Sequence, residues 1–130
     1  MSEEFETRLV TFNAPNGDQV VIEEYQECVA AYYYRDGIMD GRLWLFNTGE
    51  YESGKYEHPP YPLSDQFIVP HQIDLPIESA DFDAMFHQER RTAGIYFRGK
   101  LVGVIWPGAK PGKSVFAAVE SGAAMPLSVS

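Results

Sequence analysis

The string Pro107-Gly108-Ala109-Lys110-Pro111-Gly112-Lys113-Ser114 imitates a phosphate-binding loop, and it follows the apolar run Val102–Trp106. Such a loop needs Gly-x4-Gly-Lys-Ser/Thr between a strand and a helix, because consecutive backbone N–H groups cradle the phosphates. Here Pro107 stands where the first glycine should be, and Pro111 removes another N–H. Only 16 residues follow Ser114, too few for a magnesium-binding strand. Nucleotide triphosphate chemistry is therefore not expected, and a looser anion site is what the string still permits.

His87-Gln88-Glu89 has the His-x-Glu spacing of zinc deaminases, but those enzymes also need two further cysteines, and Cys28 is the only one. His58, His71 and His87 form no local ligand pair. Cys28, beside Val29 and Ala30, reads as a small buried hydrophobe. There is no Gly-x-Ser-x-Gly elbow and no EF-hand loop. The expectation is a non-enzyme with no metal and no cofactor.

Two stretches have the composition of contact surfaces. Residues 47–65 hold Tyr51, Tyr56 and Tyr61 around His58-Pro59-Pro60-Tyr61-Pro62. Large, stiff, half-polar side chains of this kind favour binding. Residues 90–113 hold Arg90, Arg91, Arg98, Lys100, Lys110 and Lys113, interleaved with Tyr96, Phe97 and Trp106. Cations with aromatics suit single-stranded nucleic acid, but half of those aromatics must face the core of a hairpin. The six cations are candidates for gripping a phosphate or carboxylate, with His87 or His71 as an acid–base partner.

The elements that would position these groups are mostly strands. Thr7–Phe12 alternates polar and apolar residues, Asn16-Gly17 signals a hairpin, and Gln19–Tyr25 returns as a β-branched run. Cys28–Tyr34 reads as a strand, with a helix over 18–34 as its alternative. Asp36-Gly37 and Asp40-Gly41 bracket a short connection before the strand Arg42–Asn47. A short strand is also expected at Gln66–Val69. Ser79–Arg91 reads as the one main helix. Ser79 suits an N-cap, Asp81 and Asp83 the first turn, and Arg90 and Arg91 the last, while Phe82, Met85, Phe86 and Glu89 share a face and Gly94 is placed to end the helix. Gly94–Phe97 and Leu101–Trp106 form a hairpin, and Ser114–Glu120 is a last strand or short helix. The expected fold is α+β: one domain over 1–130, with 1–6 and 123–130 as tails. A twisted antiparallel sheet of six or seven strands would carry the helix near residues 79–91.

Composition bounds the function classes. The 130 residues are 45% hydrophobic and 22% charged, which suits a globular domain rather than a disordered one. The N-terminal MSEEFE has no apolar stretch like that of a signal peptide. No run approaches the roughly 20 apolar residues of a membrane span. With a single cysteine this points to a cytoplasmic protein. Charge is uneven. Residues 1–89 carry 18 of the 19 acids against four basic residues, a net charge of −14. Residues 90–113 carry six cations and no acid. An acidic body discourages nucleic acid and anionic membranes and favours basic partners. The leading expectation is a small acidic binding or inhibitor protein that occupies a basic partner surface, such as a nucleic-acid-binding enzyme or complex. Its expected contacts are Glu23, Glu24, Glu27, Asp36, Asp40, Glu50, Tyr51, Glu52, Tyr56, Glu57 and Tyr61. The second reading is a small enzyme or anionic-ligand binder around residues 87–113. The third is a structural subunit or homo-oligomer.

Overall fold

The computed structural model describes residues 6–25, 28–47, 76–87 and 89–128. Among these the architecture is all β. Nine strands run in the order β1 (Glu6–Asn13), β2 (Gln19–Tyr25), β3 (Cys28–Arg35), β4 (Ile38–Asn47), β5 (Phe82–His87), β6 (Thr92–Phe97), β7 (Lys100–Ile105), β8 (Lys113–Ser114) and β9 (Met125–Pro126). They form two sheets, β1-β2-β3-β4 and β5-β6-β7-β8-β9. Every pairing is antiparallel except β8 with β9, which is parallel.

The expected α+β fold and its helix over 79–91 are not found. One 3-10 turn, Ser79–Asp81, is closed by a reciprocal box between Glu78 and Asp81, and the chain is extended again at Phe82. From there the side chains obey a period of two. Phe82, Ala84 and Phe86 turn inward, while Asp83, Met85 and His87 stay exposed. Met85, a core position on the helical reading, is 56% exposed. Strand β5 pairs along its whole length with β6, from Phe82 opposite Phe97 to His87 opposite Thr92. Ladder bonds to a neighbouring strand replace the bonds a helix would make within itself. Of the charges that mimic helix-dipole partners, Asp81 pairs with Arg98 across the hairpin at 3.2 Å and Arg91 pairs with Asp18 of the first sheet at 2.8 Å.

Two tight hairpins have turn residues that suit their geometry. Asp36-Gly37 and Arg98-Gly99 each have both residues at positive φ (54° and 78°, 51° and 85°). That is the twist a two-residue hairpin loop requires, and glycine accepts it without strain. Elsewhere bulges intervene. The β3–β4 register shifts between Val29 and Ala30 and between Tyr33 and Tyr34. Strand β4 thus runs unbroken through Asp40-Gly41, where a connection was expected. The first shift also interrupts the alternation, so Leu43, Trp44, Leu45 and Phe46 are all buried.

The sheets meet face to face. Val20, Ile22, Val29, Ala31, Tyr33, Leu43 and Leu45 of the first join Ala93, Ile95, Phe97 and Ile105 of the second in one core. Phe46 packs at 5.1 Å from Phe97 and 5.6 Å from Phe116. Such ring pairs add to what area burial alone contributes. The open edge of β4 is covered. Arg42 N–H donates to Ala109 O (2.8 Å), Gly112 N–H to Arg42 O (2.9 Å), and Trp44 N–H to Ala123 O (2.9 Å). Buried Ser114 Oγ donates to Leu45 O at 2.6 Å. Residues from 123 onward, expected as a tail, contribute β9, and Ala124 is fully buried. The expected last strand over 114–120 is only Lys113–Ser114. The Gln66–Val69 strand lies outside the described residues.

Where the sheets press together, β7 must lack a side chain. A Cβ on Gly103 would stand 2.6 Å from Leu45 Cδ2 and 2.9 Å from Leu43 Cδ2. Gly103→Ala is therefore expected to destabilise by about 1–3 kcal/mol through overpacking, read as a lower denaturant midpoint at unchanged slope. A midpoint equal to the parent's contradicts this packing.

Candidate functional site

Alternation in β5, β6 and β7 gives the second sheet an outer face as well as an inner one. Asp83, Met85 and His87 lie on it from β5, Thr92, Gly94 and Tyr96 from β6, and Leu101 and Val104 from β7. At its centre is a shallow open groove of about 750 Å³, lined by Met85, Tyr96, Leu101 and Val104, with His87, Glu89 and Arg90 at one end. Its floor is Gly94. A Cβ there would meet only Leu101 Cδ1 at 3.4 Å and Tyr96 Cε1 at 3.6 Å, ordinary contact distances. Gly41 and Gly112 differ: a Cβ would fall 2.8 Å from Trp106 O and 2.5 Å from Val104 O. Internal packing therefore requires glycine at 41, 103 and 112, but not at 94. Glycine inside a strand costs roughly 0.5–1 kcal/mol relative to alanine. The absent side chain at 94 keeps the groove open.

The groove's charged end is held by a buried network. The β1–β2 connection, Ala14–Asp18, folds on itself: Asp18 N–H donates to Asn16 Oδ1 (2.9 Å) and Ala14 N–H to Asp18 O (2.8 Å). This buries the Asp18 carboxylate against the second sheet. Tyr33 Oη donates to it at 2.6 Å, and Arg91 reaches it through Nη2 at 2.8 and 3.0 Å and through Nε at 3.2 Å. Arg91 has a φ of 50°, left-handed for a non-glycine residue. It sits in the β5–β6 turn with Glu89 and Arg90. Burial pushes the Asp18 carboxyl upward, but the hydrogen bonds from Tyr33 and Arg91 outweigh it and hold the group below its ordinary value. Burial, and then the Asp18 carboxylate, push the Tyr33 phenol up to about 12, so it remains a donor at neutral pH.

The expected contact residues are dispersed. Glu23 is buried on the outer face of β2, accepts from Tyr25 Oη (3.0 Å) and lies 3.8 Å from Arg8. Glu24 is next to it, and burial raises its carboxyl above the usual value. Asp36 is in the β3–β4 turn, and Asp40 pairs with Arg35 at 3.1 Å. These two lie at the opposite end of β3 from the residues around Glu23 and Glu24. Glu27, Glu50, Tyr51, Glu52, Tyr56, Glu57 and Tyr61 lie outside the described residues.

The six cations share no pocket. Arg90 and Arg91 occupy one end of the β5–β6 hairpin. Arg98 and Lys100 occupy the other, where Arg98 pairs with Asp81 and lies 4.7 Å over the Phe97 ring. Lys113 stands beside Val104 and Lys110 in the preceding loop. In that loop the amides that would cradle an anion are already bonded: Gly108 to Asp40 O, Ala109 to Trp106 O and Gly112 to Arg42 O. Among the described residues no group of three or more His, Cys, Asp or Glu is placed to hold a metal. No described helix is long and apolar enough to cross a membrane.

Sequence reasoning missed Met85, Tyr96, Leu101 and Val104 as a surface, and read Gly94 only as a helix stop and the start of a hairpin strand. The period-two pattern of Phe82, Ala84 and Phe86 is compatible with that face, but Phe82, Met85 and Phe86 fit a helix equally, so the sequence carries no deciding signal for it. Comparison with family models, with curated proteins and with solved structures finds no match for this chain.

The buried network sets an acid dependence. A carboxyl whose folded pKa is depressed stabilises the fold above its unfolded value of about 3.9, and this is lost as pH falls through the folded value. Asp18→Asn is expected to lower stability at pH 7 and to flatten its decline below about pH 4. Denaturant melts of both proteins across that window check it. Parallel pH profiles contradict it.

Proposed function

We propose that this chain is a non-enzymatic binding protein that docks on a partner protein with a basic surface, using the outer face of the second sheet as its contact. The observation that carries this reading is Gly94. It leaves open a groove between Met85, Tyr96, Leu101 and Val104 where internal packing would accept a side chain. A shallow, half-apolar face suits one protruding side chain of a macromolecular partner better than an enclosed small molecule. Asp83 and Glu89 border it, and His87 and Arg90 offer donors to partner carbonyls. The net charge of −9 supports the choice of a basic partner, since complementary charge speeds encounter and selects against acidic competitors.

Binding to the partner, recovered from the native host and then purified, is expected to weaken as salt rises. Gly94→Gln is expected to fill the groove and reduce affinity at least about tenfold, while Gly94→Ala leaves the fold as stable as the parent or stabilises it by roughly 0.5–1 kcal/mol. Isothermal titration across a salt series, with melts of each variant, provides the check. Affinity indifferent both to salt and to Gly94→Gln overturns the reading.

A further inference from the structure

Among the described residues, strand β5 is an edge. The sheet order places no strand beyond it, and β1, which comes close, makes no ladder with it. Its bonding direction follows from one contact. Arg98 N–H donates to Asp81 O at 2.7 Å, so Asp81 and Arg98 bond across the hairpin. In an antiparallel ladder bonded and non-bonded pairs alternate. Asp83, Met85 and His87 therefore bond to β6, and Ala84 and Phe86 turn their N–H and C=O groups away from it. Ala84 N–H is covered by Asp83 Oδ1 at 2.8 Å. Among the described residues the Ala84 C=O and both backbone groups of Phe86 meet no partner.

We propose that this edge pairs with β5 of a second copy, antiparallel about a two-fold axis, joining two five-stranded sheets into one of ten. Self-complementarity of the row Asp83, Met85, His87 argues for a second copy over any other occupant. The outward-bonding residues must face each other across the new ladder, and placing Ala84 opposite Phe86 of the other copy satisfies both. That register sets Met85 opposite its own counterpart on the outer face. It sets Asp83 opposite His87, twice, with a carboxylate accepting from an imidazole N–H each time. Asp83 then exchanges its local cover of Ala84 N–H for a partner across the axis, and Ala84 N–H bonds to the added strand. The half-exposed Met85 gains an apolar neighbour. Exposed strand edges are templates for such addition, and a two-fold contact repeats each favourable pair. The two-fold contact shares Asp83, Met85 and His87 with the docking face proposed above, but it does not depend on that partner, because it is read on the purified chain alone.

Two variants test it. Met85→Lys sets two like charges opposite each other at the axis, on a side chain already 56% exposed, so the fold should persist. Sedimentation across a concentration series is expected to show a parent dimer, and the variant is expected to weaken it at least about tenfold. Met85→Cys sets two thiols on facing non-bonded positions, where Cβ atoms are about 4.5–5.5 Å apart and a small shift permits a disulfide. It is expected to form a reducible dimer at least about tenfold faster than Val119→Cys, a comparably exposed control at 49%. Cys28 is buried and should not compete. A parent that is monomeric at every concentration overturns the assignment. So does a dimer that survives Met85→Lys, or Met85→Cys crosslinking no faster than the control.

Discussion

Burying the Asp18 carboxylate removes it from water, and an isolated carboxylate would not stay ionised there. Tyr33 and Arg91 supply the hydrogen bonds that hold its charge. The three residues come from the β1–β2 connection, from β3 and from the β5–β6 turn, so one carboxylate fixes the relation of the first sheet to the second. The placement of Glu89 and Arg90 at the groove depends on that turn, and so on Asp18. The contact is more than a surface ion pair, because the acid is 3% exposed while the cation keeps 40% of its surface. Tyr33, with 1% exposure, would be left with a dry hydroxyl if the carboxylate were removed. Most of the structural consequence falls on the buried partners.

Apart from that network the sheets are held by close packing and by the hydrogen bonds along β4. Glycines at 41, 103 and 112 let backbone and leucine side chains approach to distances a Cβ would forbid. Bulges let β4 bury four consecutive residues, so it serves both the core and the outer face of its sheet. The chain from Trp106 to Ala123 then covers the edge of β4 with main-chain bonds, which removes one of the free edges of a two-sheet fold. Among the described residues the β5 edge has no such cover, and the glycine at 94 has no such packing demand. Both features lie in the same hairpin and point outward.

The separation of charge along the chain is partly cancelled by folding. Arg91 and Arg98, from the basic segment, pair with Asp18 and Asp81 of the acidic one. Among the described residues Arg90, Lys100, Lys110 and Lys113 form no ion pair, and they spread over both ends of the second sheet and its following loop. Counting charges along the sequence could find the imbalance. It could not tell which cations would be used internally, because pairing is decided by which turns the sheets bring together.

Alternation and β-branched runs made the strands of the first sheet legible, with a helix over 18–34 still open, while Asp36-Gly37 read as one end of a connection reaching Gly41 and not as a two-residue turn. The sequence also excluded a phosphate-binding loop and a cysteine zinc site, since those depend on residue types at fixed spacing. The path from Ser79 to His87 was settled by long-range pairing. Phe82, Met85 and Phe86 satisfy a helical face as well as Phe82, Ala84 and Phe86 satisfy a strand. A local pattern cannot choose between them. The choice was made by β6, whose ladder offers β5 a hydrogen-bond partner and whose Phe97 receives Phe82 at 5.0 Å. The groove, the network and the open edge all follow from that choice, so none could be read from residues taken in chain order.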